Sequence, residues 1–329
     1  MAVHNGLEKY IAPDHGTAVA LGFFDGVHLG HRAVISSASQ AQLPCVVLTF
    51  SENPLRTLGR ECPPTLTDNS RKVELLTAAG ADDVIFADFA RIKDMTPAEF
   101  VEKILHDRLK AQKVFCGFNY RFGSGGAGDT EALKELCAAF GIGVTVCEPV
   151  ALGDEQISSS MIRRLIADGE IARANSMLGY RYGISGVISG GNHIGSELGF
   201  PTINIPMAVD MITPRRGVYA SMISVGGKSY RGATNIGVHP TVGANDSPLC
   251  ESFLIDFPGG DLYGSFAVCE LCDFIREEQR FSSFDELTAQ IKKDCDRIKT
   301  ILSSVKDSHC EALDMRVGAA AIPTDFKNR

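Results

Sequence analysis

"TAVALGFFDGVHLGHRAVISSASQAQ", residues 17–42, decides the fold. Its first eight residues are an unbroken apolar-rich run, the length of a buried strand. The stretch "GFFDGVHLGH" (22–31) breaks that run with three glycines, an acid and two histidines. Residues 30–42 then read as a helix. Strand, glycine-rich bend and helix together are the geometry of a phosphate site, because N–H groups at a helix start attract anions. His28 and His31 stand three apart, so both imidazoles face one side of the first turn. Gly30 between them leaves the backbone open to a close ligand. Two such donors can stabilise a phosphate whose charge grows during displacement, where the loss of one commonly costs about 3–4 kcal/mol. The competing reading is a pair of exposed helix-start histidines. A metal site would need a third ligand, which the sequence does not place.

Working outward, the pattern keeps alternating. "CVVLTF" (45–50), "DVIFA" (83–87), "KVFCGF" (113–118) and "GVTVCE" (143–148) read as short strands. Helices are predicted near 70–79, over 96–111 with Thr96 as N-cap and Pro97 at the first position, and over 129–140. Such alternation predicts a doubly wound parallel sheet, Rossmann-like, covered on both faces. Ligands bind these sheets beyond the carboxyl ends of the strands. Two short helices follow at 159–168 and 170–178. From about 183 to 275 the texture changes to Gly, Val, Ile and aromatic residues with turn clusters, which predicts antiparallel strands closing a small barrel. "GGKS" (226–229) is no Walker loop, since Met222 stands where a glycine is required; it reads as a hairpin turn. Residues 282–305 read as a helix with an acidic start. The last residues, 306–329, read as a tail.

The chain has 329 residues, 44% hydrophobic and 22% charged, with a net charge of −8. That length suggests two domains of ~150 residues. An acidic chain argues against a nucleic-acid or anionic-membrane surface, so neither is expected as a partner. No secretion signal or membrane-spanning run is visible. The ten cysteines are irregularly spaced and read as reduced thiols of a cytoplasmic protein. The CxxC at Cys269 and Cys272 lies in a strand-like run and reads as core and surface thiols rather than a metal or redox site.

A second motif, "ISSSMIRRL" (157–165), sets three serines before a helix that carries Arg163 and Arg164. Hydroxyls and amides at a helix start, with an arginine one turn in, make an anion clamp; alone, a plain serine N-cap explains it as well. With the HxGH pair, it resembles the HxGH nucleotidyltransferases. More closely, "GFFDGVHLGH", "VVLTF", "GFNYRFGSGGAGD" and "ISSSMIRRL" occur in the order seen in the prokaryotic bifunctional riboflavin kinase/FAD synthetases. The resemblance implies that residues 1–180 form an FMN adenylyltransferase domain, transferring AMP from ATP to FMN. It implies an ATP site of Gly22, Phe24, Asp25, His28 and His31, with Asn119 and Asp129 on the nucleotide side and Ser159 and Arg163 at the phosphates. One stretch departs from the family: the usual histidine after "LTF" is replaced by Asn53, and Arg56 stands one position late.

In "GFPTINI", Thr202 and Asn204 point to one face of a strand. Hydroxyl and carboxamide oxygens are hard ligands suited to Mg²⁺, although two solvent-facing polar residues would show the same spacing. Here too the resemblance adds a role. "GFPTINI", "GVYA", "TNIGVHPTVG", "ESFLIDF" and "DLYG" are similar to the kinase module of the same family, a six-stranded antiparallel β-barrel with a C-terminal helix. It implies a riboflavin kinase domain over 181–305, Thr202 and Asn204 as Mg²⁺–ATP ligands, and a phosphate flap of Gly190, Gly191 and Gly195. It implies Glu251 as the base at the ribityl hydroxyl, and leaves His239 between phosphate contact and turn cap. The expected function is riboflavin to FMN and then FMN to FAD, with ATP as co-substrate of both steps. The alternatives are one active half, the kinase being favoured because of Asn53, and a flavin-binding regulator.

Overall fold

In the computed structural model of the chain, the structure describes residues 2–190, 202–238 and 248–304. The first sheet holds β1 (Ala2–Asn5), β2 (Thr17–Leu21), β3 (Cys45–Thr49), β4 (Asp83–Phe86), β5 (Ala111–Gly117) and β6 (Gly143–Cys147). All its pairings are parallel, in the order β1-β4-β3-β2-β5-β6. The chain builds outward from β2 to one side, then returns to add β5 and β6 on the other. The switch point therefore lies between β2 and β5, the place where such sheets open a crevice. β2 and β3 are buried along their whole length, as central parallel strands must be.

The helices between the strands follow their caps. α1 (Leu29–Ser39) is capped by His28, α2 (Pro54–Thr57) by Asn53 and α3 (Asn69–Ala78) by Asp68. α4 (Phe89–Ile92) is capped by Asp88 and α5 (Pro97–Glu99) by a Thr96/Glu99 capping box. The expected helix over 96–111 is a composite. After α5 the backbone passes into a π-helical stretch, Phe100–Arg108, whose buried residues are Phe100, Val101, Ile104 and Leu105. α6 (Thr130–Ala138) is capped by Asp129. β7 (Ala151–Leu152) and β8 (Glu155–Gln156) make a small hairpin before α7 (Ser159–Ala167) and α8 (Ile171–Leu178).

The second sheet holds β9 (Gly183–Val187), β10 (Thr202–Pro206), β11 (Gly217–Val225), β12 (Lys228–Val238), β13 (Pro248–Leu254) and β14 (Phe266–Arg276). Every pairing is antiparallel, in the order β10-β13-β12-β11-β14-β9. An isolated bridge between Ser189, just after β9, and Asn204 on β10 brings the two ends of the sheet together in a nearly closed barrel. "GGKS" is indeed a hairpin turn: Val225 pairs with Lys228, and Gly226 and Gly227 between them have φ of 59° and 74°. Two consecutive positive φ values define the two-residue turn that matches strand twist. Ser221, Thr234 and Ser252 are buried and hydrogen-bond one another across three strands, at 2.6 and 2.8 Å. α9 (Phe284–Ile301) is capped by Ser283 and packs Cys295 and Ile298 on Val218, Ala220 and Met222. None of the described cysteines is in a disulfide, Cys269 and Cys272 included.

The described chain divides into two compact units. One is formed by residues 2–164 together with 176–179 and 210–212; the other by the described residues of 165–175, 180–209 and 213–304.

Candidate functional site

The first candidate site forms where β2 runs into α1. Phe24 and Val27 take φ of 53° and 35°, left-handed values that cost a non-glycine residue about 1–3 kcal/mol. The surroundings hold them there. Asp25 is 2% exposed, and its carboxylate accepts from the Leu66 amide at 2.8 Å and from Arg163 at 2.5 Å. The Asp25 carbonyl accepts from the Ser159 hydroxyl at 3.0 Å, and Arg163 Nε donates to the Pro64 carbonyl at 2.7 Å. Ser159 and Arg163 thus lock the bend from the start of α7, and Ser158 caps that helix by accepting from the Met161 amide.

The two imidazoles come together. Their rings stack at 3.6 Å between centroids, 17° from parallel, and Phe24 meets His31 edge-on. His28 Nδ1 also accepts from the His31 amide, so His28 is the N-cap of α1. A Cβ at Gly30 would press on the His28 ring at 3.2 Å, so the glycine eases the packing of that ring. Burial, with a smaller push from the nearby Arg163 cation, brings His28 down to about 4. Burial, with the neighbouring His28 and Lys72, holds His31 well below the usual histidine range. Both rings are neutral at pH 7 and act as hydrogen-bonding groups, not cations. His31 Nδ1 and Thr67 Oγ1 are buried with no hydrogen-bond partner among the described residues.

Gly22 precedes the bend, and a side chain there would strike the Phe24 ring. Asn119 is exposed beyond the end of β5, and Asp129 caps α6 through the Ala132 amide, 3.8 Å from Arg121. Asn53 spends its carboxamide oxygen capping α2 through the Leu55 amide. Sequence reasoning missed Lys72. It is 2% exposed, lies 4.1 Å from the Phe23 ring centroid, and donates to the Phe50 carbonyl. Its position on α3 carried no motif, and only a lysine on the buried face of a helix would have drawn notice.

The second candidate site lies in the barrel. Thr202 and Asn204 share a face of β10, and Asn204 is the direct cross-strand partner of Glu251 on β13. Thr202 Oγ1 donates to Glu251 Oε1 at 2.8 Å. Asn204 is 4% exposed, and its Oδ1 has no hydrogen-bond partner among the described residues. A buried carbonyl oxygen left unpaired costs about 1–3 kcal/mol, so a ligand is its natural complement. Gly190 is exposed, and a Cβ there would meet no atom within 4 Å among the described residues. Gly191, Gly195 and His239 lie outside the described residues.

Comparison with known proteins finds two family matches, one after the other along the chain. The FAD synthetase family model matches residues 11–161, and the riboflavin kinase model matches 178–302. The bifunctional riboflavin kinase/FMN adenylyltransferase of Escherichia coli K12 is 36% identical over 86% of this chain and 92% of its own length. The protein of the same name from Listeria monocytogenes is 34% identical over 89% and 95%. The crystal structure of a macrolide-efflux protein from Streptococcus pneumoniae superposes with a TM-score of 0.83 at 27% identity, over 91% of this chain and 99% of its own. Among the described residues no helix is long and apolar enough to cross a membrane. With both family models matched in order and relatives similar along nearly its whole length, the chain belongs to the bifunctional riboflavin kinase/FMN adenylyltransferase family.

Proposed function

We infer that this chain makes FAD from riboflavin in two ATP-dependent steps, with adenylyl transfer assigned to residues 1–180, riboflavin phosphorylation to 181–305, and a tail over 306–329. The pairing of both family matches with two separate polar constellations supports this reading. In the first reaction the ribityl hydroxyl attacks the γ-phosphorus of ATP, the bond to the β-phosphate oxygen breaks, and ADP leaves. Glu251 accepts its proton, and Thr202 orients the carboxylate through the hydrogen bond it donates. The unpaired Asn204 Oδ1 beside Thr202 Oγ1 fits Mg²⁺, a hard cation that takes few protein oxygens and leaves the rest to water and phosphates. When bound, that ion would neutralise phosphate charge. Gly190 begins the proposed flap, with Gly191 and Gly195.

In the second reaction a phosphate oxygen of FMN attacks the α-phosphorus of a second ATP, and pyrophosphate leaves. No covalent enzyme intermediate is needed, so the site supplies position and charge stabilisation. His28 and His31 donate to the phosphate oxygens as neutral rings. Asp25, Ser159 and Arg163 keep the bend in its strained shape, while Gly22, Phe24, Asn119 and Asp129 line the nucleotide side. We place this activity in the cytoplasm.

Purified protein, Mg²⁺-ATP and riboflavin, followed by separation of the flavins over time, tests the reading. FMN first and FAD after it is the expected course. FMN alone would retire the adenylyltransferase, and riboflavin bound without turnover would favour a regulator.

A further inference from the structure

At the carboxyl ends of β2 and β3 the charges nearly all cancel. The Asp25 carboxylate is matched by Arg163, and both histidines are neutral at pH 7. Lys72 is the exception. No carboxylate lies within ion-pair distance of it among the described residues, and of its three N–H donors only one is used, on the Phe50 carbonyl at 3.3 Å. Phe50 follows β3, and Phe23, whose ring lies 4.1 Å from the Lys72 nitrogen, follows β2. The ammonium thus sits under the bend that carries His28 and His31, on the side of the sheet where its ligand binds. A lysine so deeply buried without a counter-ion lowers stability, which an anionic ligand would offset.

Resting on the adenylyltransferase reading above, we propose that Lys72 is the fixed positive charge of that site, a positioning residue that favours the phosphate negative charge growing during AMP transfer. It acts through space, and it adds to the burial that keeps the His31 ring from taking a proton. The groups facing it are Asp25 from the bend and His31 from α1. Burial brings Lys72 down to about 8, with Asp25 opposing the shift.

The test compares Lys72→Met and Lys72→Arg in the full chain, reading both reactions. The expected wild-type kcat/KM for FMN adenylylation falls as pH rises through about 8, as the lysine loses its proton. Lys72→Arg stays charged at every pH used, so it keeps most of the neutral-pH rate and loses this alkaline fall. Lys72→Met has a kcat on the order of 10²-fold below the neutral-pH wild-type value and shows no fall near pH 8, so the gap to wild type narrows above that pH, while riboflavin phosphorylation by the same polypeptide is unchanged. The proposal is overturned if Lys72→Met retains adenylylation, if Lys72→Arg keeps the fall near pH 8, or if both variants lose the kinase reaction too, which would assign Lys72 to folding. A wild-type chain that makes no FAD from FMN sinks the underlying reading before Lys72 is changed.

Discussion

As proposed, Glu251 and His28 serve different reactions, and single substitutions should separate them. Glu251→Gln is expected to stop FMN formation, while FAD still forms from supplied FMN; His28→Ala should do the reverse. Equal loss of both activities from either change would speak against independent sites. His28 also ties stability to pH. An unfolded histidine takes a proton near 6.5, but the folded one waits until about 4. Between those values the unfolded chain binds more protons, so stability falls as pH drops from 6.5 towards 4, by up to about 3 kcal/mol. His28→Gln should flatten that slope when unfolding midpoints are followed from pH 7 to 4.5. The buried Asp25–Arg163 pair makes a further prediction. Asp25→Asn leaves a largely buried guanidinium without its counter-charge, a change that typically costs about 3 kcal/mol or more. A lowered melting temperature and loss of FAD synthesis, with the kinase intact, should follow.

At the scale of elements, much was legible because local chemistry and fold agree. Thr96, Asp129 and the two glycines at 226–227 announce a helix start, another helix start and a hairpin, and each is found there. Ser283 caps α9 by accepting from the Glu286 amide. Ser283→Ala should therefore weaken the helix by about 1 kcal/mol, seen as a lower inactivation temperature of the kinase reaction. Other features left no local trace. The π-helical Phe100–Arg108 keeps an ordinary amphipathic pattern, because its departure from α geometry lies in hydrogen-bond register. β1 is a four-residue edge strand with no buried position, so its sequence carries little apolar signal. The stacking of His28 on His31 was legible in outline from their spacing. The engagement of Arg163 with Asp25 was not, because it joins residues far apart in sequence.

For the whole molecule, two independent sites imply that FMN can pass through solution. A mixture of the Glu251→Gln and His28→Ala proteins should convert riboflavin to FAD, after a lag while FMN accumulates, though neither does so alone. The interleaving of the two compact units bears on how the activities could be parted. Residues 210–212 belong with the first unit: the Thr65 amide donates to the Asp210 carbonyl at 2.8 Å, and the Ile212 amide donates to the Thr65 carbonyl at 2.9 Å. Thr65 adjoins Leu66, whose amide holds Asp25. Scissors applied once, near residue 180, would strip this latch from beneath the histidine bend and hand the adenylyltransferase fragment an open backbone seam. The polypeptide is laced rather than strung like beads, and a gene split there would have to supply the missing stitch from elsewhere.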